Sequence, residues 1–522
     1  MTPHGSRPTF HDPTGRRRRR LRIGAIVLGA ITVVLALFVV SGIIIPPLLP
    51  DLPLRQTAGD SLGRIPRTTR TAGRHTISVR AERERLASRQ RLFAELKLHP
   101  APPSERLEQM RRKPVPGRAD ERLANRVPGD PIVAGFYVNW DDNSLISLKA
   151  HVDALDWIVG EWGLVRSRGR DSLPLQLDIK RGVLAYASHA ANPPQILLML
   201  TNATGDGFDP GAVRQLITRP RFRRRAIAEI VDSVRVDSLD GVTVDFEELP
   251  SDMHPLLLGF LRDLSRALKA DHKILTQAVP GDDPSWPVKA YAKIDDRIFL
   301  MLYDEHDPSD DPGPIASQRW FEDNLRRVLR DVPARQIIVG VGQYGYQWSD
   351  TSDNAVELTF EDVMQLARDH TALPMMDRDA LNPTFAWDDP DSTSNIVWYL
   401  DGPTAWNEIK FAQQLGVAGV GVWRLGAEDP SIWNVLGRDG LGASPAPMDT
   451  MRAEYDVNFI GSGEILRMVA EPTLGERRIV QDTATGFVVG ERVTQTPSSY
   501  VIKRYGRRKK AVALTFDDGP DP

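Results

Sequence analysis

The feature of this chain that most constrains its fold is a regular alternation of short apolar runs with helix-sized segments, from residue 131 to about 435. Eight of the apolar runs are predicted to be strands: 132–140, 155–163, 195–203, 237–249, 273–280, 297–305, 336–348 and 416–426. One basic helix is predicted over 212–236. Strand–helix alternation of this number and length is what a closed (β/α)8 barrel requires. The sequence therefore predicts an α/β fold, a TIM barrel over 131–440.

An open, doubly wound sheet is the competing interpretation, because it also alternates strands with helices. Sheets of that kind that bind nucleotides carry a glycine-rich loop after an early strand. No such loop follows the early strands here, and the glycine-rich GVGQYG lies in a late strand. The closed barrel is therefore the preferred prediction.

The ends of the predicted strands indicate where a site would lie, because barrels of this kind hold their active sites at the carboxyl ends of the strands. Several strands end in polar or aromatic residues: Asn139, Trp140, Glu161, Trp162, Asn202, Asp245, Glu247, Gln277, Tyr303, Asp304, Gln343, Tyr344 and Trp423. Their convergence on one rim predicts a binding or catalytic site there.

One strand, DGVTVDFEEL at 240–249, is unusually rich in carboxylates. Strand side chains point alternately to opposite faces. The apolar face is expected to pack on the surrounding helices: Val242, Val244 and Phe246. The other face would point to the barrel axis: Thr243, Asp245 and Glu247. Asp245 and Glu247 would be ~6.6 Å apart along the strand, so one carboxylate could raise the pKa of the other. The alternative is that these acids pair with arginines or mark a solvated strand end.

This strand resembles the DGxDxDxE signature of glycoside hydrolase family 18, the chitinase-like barrels. The resemblance continues in MLYDE at 301–305 and in IIVGVGQYGYQW at 337–348. It ends in the run from 396 to 426, which is similar to the family's last helix and eighth strand. The similarity spans roughly 132 to 435 in the family's order, so it implies a glycosidase barrel acting on polysaccharide with N-acetylated amino sugars.

The resemblance implies a substrate-assisted retaining mechanism, an exception to the usual two-carboxylate scheme. Glu247 would be the general acid, and the acetamido carbonyl of the sugar would attack the anomeric carbon. Asp245 would orient the acetamido group, Tyr303 and Asp304 would hold it, and Trp423 would form the floor under the sugar. The remaining candidates are Asp240 as a catalytic residue and, for substrate binding, Tyr137, Gln343 and Tyr344.

One position departs from the family signature, because its middle aspartate is replaced by Thr243. Threonine can donate a hydrogen bond to Asp245 but cannot carry a charge. Activity could be reduced, tuned to another pH or directed to another sugar. The alternative function is a non-catalytic carbohydrate-binding barrel that serves a metal-dependent deacetylase, with or without a glycosyltransferase.

The final segment, 511–522, carries TFDDGP, which resembles the first motif of NodB-type polysaccharide deacetylases. That resemblance implies Asp517 as catalytic base and Asp518 as ligand of a divalent metal, usually zinc. A catalytic zinc site needs about three protein ligands, and the rest of such a domain needs roughly 200 more residues. The truncated chain is therefore not expected to deacetylate. No cofactor is expected for the barrel, and zinc is expected only with a complete deacetylase domain.

The remaining segments suggest an anchored protein. Residues 1–22 are basic and 23–45 are uncharged and apolar, long enough for a bilayer of ~30 Å. The arginines on the N-terminal side predict a cytosolic N-terminus and a periplasmic or otherwise extracytoplasmic barrel at the inner (plasma) membrane. A cleavable signal peptide is the rival interpretation. Residues 46–130 are predicted to be a Pro/Arg-rich stalk and 441–510 a β-rich connection. The formal net charge of −3 gives no indication of a nucleic-acid partner.

Overall fold

The computed structural model describes residues 131–205, 207–453 and 457–506. The predicted membrane anchor at 23–45, the stalk and the deacetylase motif with Asp517 and Asp518 lie outside these residues. Within the described ranges, no helix combines the length and the apolar character needed to cross a membrane.

The described chain alternates strands and helices, numbered here along the sequence. The strands are β1 Ile132–Val138, β2 Trp157–Leu164, β3 Gln176–Leu177, β4 Gln195–Thr201, β5 Ala203–Thr204, β6 Gly207–Phe208, β7 Gly241–Asp245, β8 Ile274–Pro280, β9 Arg297–Met301, β10 Ile337–Gly342, β11 Gly345–Ser349, β12 Val356–Leu358, β13 Met375–Met376, β14 Pro383–Asp388, β15 Ser394–Tyr399, β16 Gly419–Trp423, β17 Leu436–Gly437, β18 Gly440–Leu441, β19 Thr450–Met451, β20 Val457–Gly461, β21 Ile465–Ala470, β22 Gly475–Gln481, β23 Val488–Gln495 and β24 Tyr500–Tyr505. The helices are α1 Asp142–His151, α2 Arg181–Ser188, α3 Pro210–Thr218, α4 Pro220–Val236, α5 His254–Lys269, α6 Val288–Tyr291, α7 Gln318–Leu329, α8 Phe360–Asp369 and α9 Gly402–Gln414.

Eight parallel strands form a closed barrel. Their order around the barrel is β1, β2, β4, β7, β8, β9, β10 and β16, and β16 pairs again with β1. Closure is shown by β1, whose Ala134 is in register with Trp157 on one side and with Gly421 on the other. The predicted TIM barrel is therefore confirmed for this part of the chain.

Alternation along the strands separates an inner from an outer apolar layer. The barrel interior holds a compact cluster: Ile132, Ala134, Phe136, Trp157, Val159, Leu197, Met199, Ala278, Phe299 and Ile338. The outer faces of the strands pack on the helices, and there Val242, Val244 and Phe246 belong to the same buried cluster as α4 and α5 side chains. The predicted division of the carboxylate strand into an outer apolar face and an inner polar face is confirmed.

Two predicted elements are each divided in two. The single basic helix over 212–236 is two helices, because Pro220 has no N–H to continue α3 and instead begins α4. The strand predicted over 336–348 is β10 followed by β11, and β11 pairs with β12 and β15 instead of joining the barrel.

The chain between β10 and α9 forms an antiparallel sheet beside the barrel. Its order is β12-β11-β15-β14-β13-β23-β22-β19, so three strands of the 441–510 segment continue the sheet that the barrel insertion begins. A separate three-stranded sheet has the order β20-β24-β21.

A fully buried ionic cluster, called here the Arg477 cluster, joins the 441–510 segment to the barrel. The Nη1 atom of Arg477 lies 2.8 Å from Asp429, 3.2 Å from Glu491 and 3.3 Å from Asp401. Asp401 also accepts a hydrogen bond from the backbone N–H of Thr404, which caps the amino end of α9. The cluster therefore ties β22 and β23 to the start of the last barrel helix.

Candidate active site

Asp245 and Glu247 lie together at the carboxyl rim of the barrel. Asp245 is the last residue of β7, is 4% exposed and faces the interior. Its Oδ1 atom is buried and has no hydrogen-bond partner among the residues described. Glu247 follows two residues later and is half-buried. This is the placement that the alternation of the strand predicts.

Asn202 fixes the backbone at Glu247. Its Oδ1 atom accepts a hydrogen bond from the Glu247 backbone N–H at 2.8 Å, and its Nδ2 donates to the Glu247 carbonyl at 3.0 Å. Asn202 itself is fully buried just after β4. This two-point contact fixes the Glu247 backbone two residues after the end of β7. The sequence indicated Asn202 only as one of many polar strand ends.

The carboxyl pair is poised for acid chemistry near neutral pH. Burial, and then the charge of Glu161, raises the pKa of Asp245 to about 7. Burial also raises the pKa of Glu247 well above its ordinary value, helped by the charges of Asp245, Asp304 and Glu248. Because two nearby carboxylates in a dry environment resist joint ionisation, the pair keeps a proton at neutral pH.

Tyr303 and Asp304 follow β9 and meet this pair. Asp304 adopts a φ of 65°, and its Oδ1 atom accepts hydrogen bonds from the hydroxyls of Tyr344 at 2.5 Å and Tyr346 at 2.8 Å. Burial raises the pKa of Asp304 to about 6, while the two tyrosine hydroxyls act to lower it. Tyr344 therefore positions Asp304, and Tyr346 shares this role although the sequence analysis did not name it.

The Tyr303 hydroxyl is kept protonated. Burial, and then the charges of Glu247, Asp245 and Asp304, raises its pKa well above the ordinary value. Its ring meets Tyr344 edge-on, with 6.0 Å between ring centroids. Tyr303 is thus a hydrogen-bond donor set among three carboxyl groups.

Trp423 ends β16 at the same rim. Its ring is half-buried and meets Phe136 of the barrel interior at 5.3 Å in an edge-to-face arrangement. Its carbonyl accepts a hydrogen bond from the Gln343 backbone N–H at 2.8 Å, and the peptide bond to Arg424 is cis. The indole therefore closes the bottom of the rim, directly above the interior cluster.

Asp240 is not part of this site, so the prediction that it is catalytic is wrong. It precedes β7, and its Oδ2 atom accepts a hydrogen bond from the Ile196 backbone N–H at 2.8 Å, at the amino end of β4. At ~3.3 Å per residue, Asp240 is about 16 Å from Asp245 along the strand. The two aspartates of the motif thus stand at opposite ends of one strand.

Two other residues that were predicted to bind substrate, Tyr137 and Gln343, do not face the rim. Tyr137 belongs to the outer cluster and faces Trp162 at 6.1 Å between ring centroids, because its neighbour Phe136 occupies the interior face. Gln343 is fully buried, and its Nε2 atom donates to the carbonyls of Gly342 and Asp401 at 2.8 and 3.0 Å. Both residues support the scaffold.

A second group of side chains reaches the rim from β1, β2 and β16. Trp140 is 49% exposed, and its Nε1 donates to Glu161 Oε2 at 3.1 Å. The guanidinium of Arg424 lies 4.2 Å from the centre of the Trp140 ring and forms an ion pair with Asp141. Strand-end position indicated Trp140 and Glu161 in the sequence, but no local signal indicated the contact with Arg424.

The described residues contain no group of three or more histidine, aspartate or glutamate side chains that could hold a metal ion. The expected metal ligand Asp518 lies outside them.

Residues 191–428 match the family model of glycosyl hydrolases family 18. The chain is 28% identical over 241 residues to the uncharacterized glycosylase YvbX of Bacillus subtilis (strain 168), covering 44% of this chain and 70% of that protein. It is 28% identical over 240 residues to the putative sporulation-specific glycosylase YdhD of the same organism, covering 44% of this chain but only 57% of the relative.

A solved structure has the same fold. The spore cortex-lytic enzyme SleL of Bacillus megaterium QM B1551 aligns with a TM-score of 0.53 at 18% identity, over 60% of this chain and 76% of that one. At this identity the likeness concerns the fold alone. The matched residues include the strand of Asp245 and Glu247 and the insertion with Tyr344. Residues 191–428 are therefore similar to glycosyl hydrolases family 18, and the chain is a glycosidase.

Proposed function

We propose that the barrel hydrolyses a polysaccharide of β-linked N-acetylhexosamine by a substrate-assisted, retaining mechanism. The observation that carries this proposal is the pair at the open rim. Glu247 is half-buried with its pKa raised well above the ordinary value, and Asp245 beside it has a buried oxygen without a hydrogen-bond partner among the described residues. One group can donate a proton, and the other can accept a hydrogen bond from a substrate.

Glu247 would give its proton to the glycosidic oxygen as the bond to the anomeric carbon breaks. The acetamido carbonyl oxygen of the same sugar would form the new bond to that carbon, giving a cationic oxazolinium ring. Asp245, as an anion, would accept the acetamido N–H and stabilise the positive charge. Water activated by Glu247 would then open the ring and restore the acid. Because the anomeric carbon is attacked twice, its configuration is retained.

The aromatic residues of the rim would bind and orient the sugar. Trp423 offers its half-buried indole face as the floor, and Tyr303 offers a protonated hydroxyl next to Asp304. Trp140 offers a second, more exposed indole, against which the Arg424 guanidinium packs. An extended sugar chain, in the manner of chitin or a peptidoglycan glycan strand, would cross both indoles. The names of the two sequence relatives, both glycosylases of Bacillus subtilis, support a glycan substrate.

We include membrane attachment in the proposal on sequence grounds. The uncharged run at 23–45 follows a cluster of arginines, which favours a cytosolic N-terminus and a barrel outside the inner membrane. Protease added to spheroplasts should then digest the barrel. A barrel digested only after lysis would contradict this placement.

A second candidate is a carbohydrate-binding barrel without turnover. It is favoured by Thr243, whose hydroxyl bonds to that of Thr276 at 2.8 Å, so no second carboxylate supports Asp245 from its own strand. In that case the wild-type chain would bind chito-oligosaccharides without cleaving them, and Trp423→Ala would abolish binding.

The experiment that separates the two candidates is cleavage of a labelled chito-oligosaccharide and of peptidoglycan glycan strands by the full-length chain. Hydrolysis by the wild type and loss of at least ~10³-fold in Glu247→Gln, with binding kept, support the glycosidase mechanism. Glu229→Gln, the same change on the exposed face of α4, is the matched control. Undetectable cleavage of both substrates by a folded, substrate-binding wild type would contradict the proposal.

A further inference from the structure

A third carboxyl group, that of Glu161, faces the catalytic pair from a different strand. On β2 the interior positions are Trp157 and Val159, and the same alternation turns Glu161 inward. Glu161 is in register with Met199 of β4, which is in register with Thr243 of β7. Glu161 therefore stands two strands from β7, in register with Thr243 across β4.

The Glu161 carboxyl group is held in place by neighbours from other elements. Its Oε2 atom accepts the hydrogen bond from Trp140 Nε1 at 3.1 Å. Burial raises its pKa, whereas the Trp140 hydrogen bond and the charges of Arg424 and Arg166 lower it. Burial is the largest of these effects, so the pKa of Glu161 stays above its ordinary value, and the group carries a negative charge once it is deprotonated.

Asp245 receives that charge without compensation. After burial, the charge of Glu161 is the main cause that raises the pKa of Asp245. Thr243, the residue on the same face of β7, directs its hydroxyl to Thr276. The buried Oδ1 atom of Asp245 has no hydrogen-bond donor in the described part of the chain. Among the described residues, the remaining charged or titratable groups around Asp245 and Glu247 are Glu248, Tyr303 and Asp304.

We infer that Glu161 is a positioning residue for the reaction: from β2 it places a carboxyl group on the same interior face as Asp245, and it fixes Trp140 beside the site. This inference rests on the proposed function, in which Asp245 must be an anion to stabilise the oxazolinium. Glu161 would thereby set the acidic limb of the pH–activity profile. A neutral Asp245 also avoids a buried, unpaired charge in the substrate-free enzyme.

The sign of the effect follows from the charge. A carboxylate next to Asp245 disfavours its ionisation, so removing that charge lowers the pH at which Asp245 becomes an anion. In Glu161→Gln, which keeps an acceptor for the Trp140 indole, the acidic limb should move down by about 1 pH unit. Activity above the limb should stay within a few-fold of the wild type. Glu161→Asp should return the limb towards its original pH.

A readout that needs no turnover is the ¹³C carboxyl titration of Asp245 in the full-length chain labelled at aspartate Cγ. The signal is identified by its loss in Asp245→Asn. Its midpoint should fall in Glu161→Gln and recover in Glu161→Asp. Glu248→Gln removes an equal charge next to Glu247 and is the matched control, with an unchanged Asp245 midpoint expected.

The two hypotheses fail in different ways. An unchanged Asp245 midpoint in Glu161→Gln overturns the role of Glu161, even where the wild type cleaves its substrate. A shifted midpoint together with an unchanged acidic limb also overturns it, because the limb would then belong to another group. Absence of hydrolysis by the wild type contradicts the proposed function and leaves the carboxyl titration to decide the electrostatic coupling alone.

Discussion

Two groups of buried carboxylates in this molecule differ in one respect, the presence of a cation. The Arg477 cluster surrounds one guanidinium with three acids, all completely buried. The other group, called here the rim carboxylates, lies at the open end of the barrel: Glu161, Asp245, Glu247 and Asp304. Of these, only Glu161 has nearby arginines that act to lower its pKa, and burial still raises that pKa overall.

The difference teaches how to separate architecture from chemistry. Removing a charge from water costs several kcal/mol, and a buried partner offsets that cost. In the Arg477 cluster the guanidinium offsets that cost, and its ion pairs join β22 and β23 to the barrel. Burial raises carboxyl pKa values in both groups, but Arg477 acts to lower those of Asp401 and Glu491, whereas no described arginine does so for Asp245 or Glu247. Uncompensated burial in a cleft marks a group that works with a proton.

The largest expected effect is loss of the guanidinium. Arg477→Met leaves three buried acids without a cation and should lower the free energy of unfolding by about 3–5 kcal/mol. Urea titration of the full-length chain measures this change. Arg478→Met, at the exposed neighbouring position, should change it by less than about 0.5 kcal/mol. Equal effects of the two substitutions would contradict the importance of the cluster.

The next largest effect is expected on kcat, when the hydrogen bonds that hold the Glu247 backbone are removed. Asn202→Ala removes both hydrogen bonds to the Glu247 backbone and should lower kcat about 10²-fold, because displacement of a catalytic group by ~1 Å has a cost of that order. Asn354→Ala, in an exposed loop, is the matched control. A kcat within two-fold of the wild type in Asn202→Ala would show that Glu247 is positioned by other contacts.

At the rim, removing an acid should stabilise the fold. The folded-state pKa of Asp245, about 7, is above its unfolded value of 3.8, so ionisation opposes folding as pH rises from about 4 to 7. Asp245→Asn should therefore raise the free energy of unfolding by up to about 4 kcal/mol at pH 8 and change it little at pH 4. Urea titrations at both pH values measure this, with Asp232→Asn on the exposed face of α4 as control. Destabilisation at pH 8 would mean that Asp245 has a compensating partner.

A smaller effect is expected at Asp304, which accepts hydrogen bonds from two tyrosine hydroxyls. Tyr344→Phe removes one of two hydroxyl donors to Asp304 and should raise the pKa of Asp304 above its value of about 6. The rate near neutral pH should fall by about ten-fold, which corresponds to one hydrogen bond to a charged group. Tyr186→Phe, on α2, removes a hydroxyl that donates to the backbone carbonyl of Lys149 and serves as control. An unchanged rate and pH profile would remove Asp304 from the site.

The sequence predicted the barrel and the position of Asp245 and Glu247, because both follow from short-range periodicity. Period-two alternation identified the interior face of β7, and the strand ends identified the rim. The prediction for Asp240 failed because the motif alone does not show which of its residues lie at the carboxyl end of the strand, where the site is. The prediction for Tyr137 failed because side chains alternate along β1: Phe136 fills the barrel interior, so Tyr137 faces outward. Only the packed structure shows which of the two neighbours faces inward.

Contacts between distant segments could not be predicted in this way. Arg477 meets Asp401 across 76 residues, and Arg424 meets Asp141 across 283. No local pattern links such pairs, since closure of the barrel and its inserted sheet brings them together. The same reason explains why Glu161 was noted as a polar strand end but not as a neighbour of Asp245.

The most direct test of the central claim is the rate at which the full-length chain cleaves a chito-oligosaccharide compared with the same oligomer after de-N-acetylation. Two rim carboxylates without a cation, one acid and one orienting group, leave the nucleophile to the substrate. We expect cleavage of the acetylated oligomer and none of the deacetylated one, although both are bound. Comparable cleavage of the two would show that the nucleophile comes from the protein or from water, and the account of the rim would be wrong.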